Sequence, residues 1–134
     1  MRFKLSEIER SKRDVKRRLK FPETLNEDLA EFLGIMVGDG HLGLYARKGR
    51  KIPTIYDVRI SCNENEESYI KHICNLFYSL FNVKLSITHD TKPNCIDLRM
   101  RSKGVVYFLH YLCYIPLNKK SGIVPVPKIV EEAG

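Results

Sequence analysis

The sequence predicts an α+β fold in which a four-stranded antiparallel sheet carries its helices on one face and leaves the other face polar. Two pairs of short segments alternate between apolar and polar residues, as antiparallel strands do. Each pair is followed by a segment whose apolar residues recur at helical spacing. With one further helix in front, the predicted order is a helix followed by αββαββα.

The first helix is predicted from a thin apolar stripe over residues 5–19, formed by Leu5, Ile8, Val15 and Leu19. It ends at Phe21-Pro22, because the residue before a proline avoids the helical conformation. The first 20 residues hold nine basic and three acidic side chains. We therefore expect residues 1–24 to form a basic arm and residues 25–134 to form the domain.

The second helix, residues 27–38, is apolar nearly all round, which predicts burial on several sides. Thr24 or Asn26 can cap it, and Gly38-Asp39-Gly40 marks its end. The remaining elements follow from alternation or helical spacing. They are strands over 41–47 and 54–62, a helix over 66–81, strands over 83–88 and 96–101, and a helix over 103–114.

Composition limits the function classes. The 134 residues suit one globular domain, and the net charge of +7 indicates a polyanionic partner, either nucleic acid or an anionic membrane surface. No apolar run approaches the ~18 residues of a membrane span, so no membrane role is predicted. The cysteines lack metal-binding spacing, which predicts free thiols in a reducing intracellular compartment, the cytoplasm or an organelle. They are Cys62, Cys74, Cys95 and Cys113.

The stretch from Phe32 to Gly40 combines three features that point to a function. Gly34 and Gly38 lie four residues apart, so they share one helical face and would let a second helix approach closely. Asp39 falls at the helix C-terminus, where the helix dipole disfavours an anion. A bound cation would remove that conflict, although an Asp-Gly turn that opens a hairpin is the simpler alternative.

This stretch resembles the signature of the LAGLIDADG homing endonucleases. The resemblance covers about residues 26–130 and includes Leu29-Ala30-Glu31, His41-Leu42, and Lys120-Ser121 followed by Val124-Pro125. The sequence departs from the signature where Val37 replaces an acid and where Phe32-Leu33 replaces its first two residues.

The resemblance implies that two signature helices pack together, with Leu33, Gly34, Val37 and Gly38 in the dimer interface. It implies that Asp39 is catalytic and that Asp39 and Gly38 bind a divalent metal, normally Mg²⁺, for two-metal hydrolysis of a phosphodiester. Lys120, or failing that Lys119, would be the basic residue near the cleavage centre.

The polar sheet face is the predicted DNA-binding surface. Its residues can contact base edges or phosphates, although a solvated charged face is the ordinary alternative. The predicted contacts on this face are Arg59, Ser61, Lys84, Ser86, Thr88, Asp97, Arg99 and Arg101. The basic loop between the first two strands adds Arg47, Lys48, Arg50 and Lys51. The N-terminal arm would contact phosphates outside this face.

These observations predict a homodimeric, sequence-specific double-strand DNA endonuclease that cuts a long pseudo-palindromic site in the homing of an intron or intein. One alternative is a non-cleaving DNA-binding regulator or remnant of the same fold. Another is an RNA-binding intron maturase. Because the ending Val124–Val130 resembles a passage that leads into a second repeat, a double-motif protein also remains open. The initiating methionine favours the homodimer.

Overall fold

The computed structural model describes residues 2–89 and 91–118. A short 3-10 turn, Leu5–Glu7, precedes the helices α1 (Lys12–Lys16), α2 (Glu27–Asp39), α3 (Glu67–Phe81) and α4 (Lys103–Tyr107). Helix α4 continues directly into a π-helical turn, Phe108–Leu112. The strands are β1 (Gly40–Ala46), β2 (Pro53–Asn63), β3 (Ser86–His89) and β4 (Cys95–Arg101).

The predicted fold class is confirmed. The strands form one antiparallel sheet in the order β1-β2-β4-β3, so the two hairpins meet where β2 pairs with β4. The register opposes Arg59 to Arg99 and Val58 to Met100. Alternation then puts Val58 and Met100 on the face that the helices cover and puts the two arginines on the outer face.

Phenylalanine side chains join the helices under the sheet. Phe32 of α2 lies 5.5 Å from Phe77 of α3 between ring centroids, and Phe81 lies 5.8 Å from Phe108. Phe21, which precedes α2, stacks on Phe108 at 5.4 Å. Such aromatic contacts contribute roughly 0.5–1.5 kcal/mol each beyond the apolar area that they bury. The core therefore includes residues on both sides of the expected boundary at residue 24.

The first helix is the main correction to the sequence-based expectation. Instead of one helix over 5–19, the segment has a 3-10 turn and the five-residue helix α1. Val15, expected on the apolar stripe, is 63% exposed, whereas the carboxylate of Asp14 is completely buried. Polar contacts of Asp14 orient this helix, and Arg18, with a φ of 58°, ends it. The segment is thus docked on the domain.

The third strand is shorter than expected, because Val83 and Leu85 enter the core before pairing begins at Ser86. The amide of Ser102 bonds Tyr56 of β2, so the neighbouring Arg101 carbonyl points away from β2, toward β3. That carbonyl accepts a hydrogen bond from the Arg17 guanidinium at 2.9 Å. A side chain of the N-terminal segment therefore bonds the end of β4 where β3 would otherwise pair.

Candidate nucleic-acid interface and metal centre

Helix α2 has one buried face and one uncovered face. Asn26 caps its first turn by accepting a hydrogen bond from the Leu29 amide at 2.8 Å. Leu29, Phe32, Leu33 and Met36 are buried. On the other side Gly34 and Gly38 are exposed, and a Cβ atom added at either would meet nothing within 4 Å. The uncovered face of α2 is therefore defined by Gly34 and Gly38, with Val37 half-buried at its edge.

The predicted interface is corrected at one position. Leu33 is only 1% exposed and lies in the core of its own chain. The helical repeat explains the error, because a helix that packs on a core must turn about half of its apolar residues inward. Gly34, Val37 and Gly38 remain the members of the predicted set that a second molecule can reach.

The end of α2 presents Asp39 to solvent. The Gly40 amide donates to the Met36 carbonyl and closes the helix, and the chain turns at once into β1. A Cβ at Gly40 would lie 2.6 Å from the Met36 Cα, so only glycine fits this turn. Asp39 is exposed and makes no hydrogen bond or ion pair within residues 2–89 and 91–118. It is thus an unpaired carboxylate at the negative end of a helix.

The surroundings of Asp39 are acidic or neutral. Burial raises the pKa of Cys62 to about 11, and the charges of Glu66 and Asp39 add to that effect. The pKa of Tyr69 is raised by burial and then by Asp39. Both shifts place Asp39 close enough to influence these side chains without a described cation to offset it. A cation at this end of the helix would be favoured by the carboxylate and by the dipole.

The residues fit a divalent cation only as half of a site. The described part of the chain has no group of three or more His, Cys, Asp or Glu side chains that could hold a metal. Mg²⁺ commonly binds one or two carboxylates and completes its shell with water and phosphate oxygens. The exposed Asp39 carboxylate and the Gly38 carbonyl, in the last turn of α2, are suitable oxygen donors. Lys120 and its substitute Lys119 lie outside the described residues.

The outer sheet face carries a buried carboxylate that sequence analysis did not single out. Asp57 is 1% exposed, and its Oδ2 accepts from Arg59 at 3.4 Å and from Arg99 at 3.1 Å. Gly43 lies opposite Asp57 on β1, and the Tyr45 ring covers that glycine. Two arginines are thus held side by side by one acid. Register could have revealed this, because Asp57 and Arg59 alternate onto the same face.

Asp97 needs a second correction. It was expected to contact DNA, but it is only 7% exposed and accepts a hydrogen bond from the Ser61 hydroxyl at 3.0 Å. Ser61 is directly opposite Asp97 in the register, so the shorter side chain lies above the acid. Thr88 is half-buried beside it and donates to the Asp97 carbonyl. Ser61 and Ser86 are the exposed hydroxyls of this face.

The predicted basic residues occupy two places. Arg47, Lys48, Arg50 and Lys51 are exposed on the β1–β2 loop, where the Arg50 amide closes a turn onto the Arg47 carbonyl. At the other end of the face, a recess of about 250 Å³ lies where β3 and β4 meet the N-terminal segment. Lys84, Arg99 and Arg101 line it as the sequence predicts, but Arg13 and Arg17 line it too. The arm therefore joins the sheet surface rather than lying outside it.

Comparison with known proteins gives one sequence match, to the A-type ATP synthase of Pyrococcus abyssi. The chain is 33% identical over 112 residues to one polypeptide of that synthase, which covers 84% of this chain and 9% of that polypeptide. The chain thus spans about a tenth of that relative's length. No family model matches the sequence.

Two solved structures are similar. One is the LAGLIDADG meganuclease I-AabMI bound to uncleaved DNA, with a TM-score of 0.43 and 21% identity over 64% of this chain and 29% of that one. The other is the homing endonuclease I-TnaI, with a TM-score of 0.37 and 21% identity over 72% of this chain and 64% of that one. Among the described residues, no helix is long and apolar enough to cross a membrane.

Proposed function

We propose that this protein is a DNA endonuclease of the homing type, which cuts both strands of a long pseudo-palindromic site as a homodimer and uses Mg²⁺. One observation carries the proposal: the helix with the uncovered Gly34 and Gly38 face ends in the unpaired carboxylate of Asp39. This helix leads without a break into a sheet whose outer face is basic. Cleavage and DNA binding would thus be adjacent.

The dimer follows from the incomplete metal site. One chain offers one carboxylate at the end of α2, and a two-fold axis beside the uncovered face would supply a second from the partner. Because the interface of such a dimer is self-complementary, its target would have matching half-sites. Glycines at Gly34 and Gly38 let the two helix backbones approach, so that both Asp39 side chains lie near the axis.

The roles of the chain's own residues follow from their positions. Asp39 and the Gly38 carbonyl would hold Mg²⁺, which supplies Lewis-acid stabilisation of charge on the phosphate and activates water. Lys120 would steady negative charge at the same phosphate. Arg59 and Arg99, whose directions Asp57 fixes, are placed to donate to guanine edges, and Ser61 and Ser86 can reach bases or phosphates.

The ATP synthase match supports an intein as the host of this activity. A similarity that covers 84% of this chain but 9% of the relative is that of a module carried inside a much longer polypeptide. An intein inserts its homing endonuclease into a host protein in this manner. The free thiols found at all four cysteines agree with work in a reducing compartment.

Two alternatives keep the same surfaces without DNA cleavage. A regulator or decayed remnant would bind duplex DNA through the sheet, whereas an intron maturase would bind RNA. Asp39 favours cleavage, because an unpaired acid close to a DNA-binding surface repels phosphates and has no use in a pure binding protein. Incubation with a randomised duplex library and Mg²⁺, followed by sequencing of the bound molecules and of the cut ends, separates these roles.

The decisive variant is Asp39→Asn. We expect it to lose cleavage and to keep DNA binding, because asparagine preserves the size of aspartate but not the charge that holds the cation. Asp28→Asn is the matched control: this acid is also exposed on α2, in the first turn. Nicking and gel-shift assays on both variants provide the measurement. Cleavage at the wild-type rate by Asp39→Asn would contradict the proposal. A wild-type protein that binds one site without cutting it would favour the regulator.

A further inference from the structure

The recess at the end of the outer sheet face has an unusual charge balance. Its lining holds five basic side chains and one acid: Arg13, Arg17, Lys84, Arg99, Arg101 and Asp57. These residues come from separate parts of the chain, which the fold brings together. We call this feature the basic recess.

Most of the positive charge in the basic recess is not neutralised. Asp57 is shared between Arg99 and Arg59, so the pair of guanidiniums exceeds the acid by one charge. Arg17 is paired with Asp14 at 3.0 Å. Arg13, Lys84 and Arg101 have side chains with no ion pair or hydrogen bond in the described ranges. Like charges brought together in this way repel one another unless an anion is present.

The recess is built from donors. Arginine and lysine side chains can only donate hydrogen bonds, and the one acidic acceptor, Asp57, already receives two guanidinium bonds. Base edges in the major groove present donors as well as acceptors, so base recognition would use both kinds of group. A phosphate offers acceptor oxygens and negative charge alone, and the guanidinium fork matches it. The lining is therefore complementary to phosphate rather than to a base.

Arg17 gives the recess a fixed shape. Its guanidinium donates to Asp14 at 3.0 Å and to the Arg101 carbonyl at 2.9 Å, so one side chain connects α1 to the end of β4. Asp14 is in turn anchored by the Ser102 hydroxyl at 2.6 Å. Arg13, one turn before Arg17, is thereby held over the sheet instead of moving freely. A site that is arranged before binding loses less entropy when the ligand arrives.

We propose that the basic recess binds a backbone phosphate of duplex DNA, so that the N-terminal segment completes the DNA-binding surface of the sheet. This inference rests on the proposed function and deepens it by separating two kinds of contact. The recess fixes the position of the DNA without reading its sequence, whereas Arg59 and Arg99, held by Asp57, face the base edges.

The test compares two double variants of equal net charge. Arg13→Ala/Lys84→Ala removes two unpaired bases from the recess, and Lys16→Ala/Lys71→Ala removes two exposed lysines elsewhere. Binding to several unrelated duplexes is measured over a series of salt concentrations. The recess variant should reduce the slope of log K against log salt by about two and weaken every duplex by on the order of tenfold or more. The control should change the slope much less, and both should melt like the wild type.

A second measurement separates the sources of phosphate. Backbone amide NMR signals of residues 84–88 and 99–101 are followed during titration with inorganic phosphate, with chloride at equal ionic strength as the reference. Shifts in the wild type that the recess variant loses, together with the altered salt slope, support the proposal.

Two other results would overturn it. Equal loss of affinity in both double variants would refute the recess while leaving DNA binding intact. A wild type that responds to phosphate but binds no duplex would refute the DNA endonuclease, and would leave the recess a site for free phosphate.

Discussion

Replacement of Asp14 by alanine tests how the N-terminal segment is held. The Asp14 carboxylate is completely buried and accepts bonds from the Ser102 hydroxyl at 2.6 Å, the Gly104 amide at 2.9 Å and the Ser11 amide at 3.1 Å. It also pairs with Arg17 at 3.0 Å. Alanine would leave these donors without a partner in a place that water does not reach.

The magnitude follows from these contacts. Removal of one partner from a buried, hydrogen-bonded ion pair costs roughly 3–5 kcal/mol. A domain of this size is stable by about 5–15 kcal/mol, so the variant would lose a large share of its free energy of unfolding. At about 4 °C per kcal/mol, the melting temperature should fall by roughly 10–20 °C.

Urea denaturation and calorimetry of Asp14→Ala measure this loss, with Glu9→Ala as the matched control. Glu9 also joins the N-terminal segment to the domain, through Lys103 at 2.7 Å, but its side chain is 60% exposed. An exposed pair contributes about 0–1 kcal/mol, so the control should be nearly as stable as the wild type. A loss below about 1 kcal/mol for Asp14→Ala would refute the reasoning.

The same carboxylate predicts a dependence on pH. Burial alone would raise the pKa of Asp14, but the hydrogen bonds from Ser102, Gly104 and Ser11 outweigh it and leave the pKa below its ordinary value. A lowered pKa contributes stability that is present above about pH 4 and is lost as the pH falls through the folded-state value. The stability difference between the wild type and Asp14→Asn should therefore shrink on acidification below about pH 4. A constant difference would show that Asp14 is not charged in the folded protein.

Two further substitutions test the glycines. Gly34→Leu should fold with at least wild-type stability, because no atom lies within 4 Å of the added Cβ and an exposed helical glycine costs about 1 kcal/mol. It should nevertheless lose dimer formation and cleavage, as followed by light scattering and nicking; an active dimer would place the interface elsewhere. Gly104→Ala should cost about 1–3 kcal/mol in urea denaturation, because its Cβ would lie 2.8 Å from Leu19 Cδ2 and 3.0 Å from the Phe21 ring. Equal stability of Gly104→Ala and the control Gly34→Ala would contradict that close packing.

The domain was predictable where local signals and burial agree. Asn26 caps α2 in the position that an asparagine before two acids indicates, and Gly40 ends the helix. The alternation around Val58 and Leu98 indicated the inward faces of β2 and β4, since a strand with one buried face has little freedom of register. These elements were predicted to within about two residues.

The N-terminal segment was not predictable from the same signals. Its charged sequence has the spacing of a surface helix, and nothing local distinguishes Asp14 from Glu9. The difference lies in partners that are 88 and 90 residues away, at Ser102 and Gly104. One buried carboxylate overrode the apolar stripe, which left Val15 exposed.

The candidate site was predicted in outline and missed in its cross-strand contacts. Asp39 and the glycine face depend on helical spacing, which the sequence displays directly. Asp57 and Asp97 depend on which residues lie opposite them in the sheet, and a register cannot be read from one strand alone. The pairing of Ser61 with Asp97 turned an expected contact into a buried support.

The two edges of the sheet also limit how chains of this protein can associate. Beside β1, Asn118 acts as a short extra strand: its amide donates to Leu42, and its side chain exchanges two hydrogen bonds with Leu44. At the opposite edge, β3 has four residues. Neither edge offers a long row of free backbone groups, which is the feature that starts strand-to-strand aggregation. Concentrated solutions of the folded protein should therefore resist growth into fibrils.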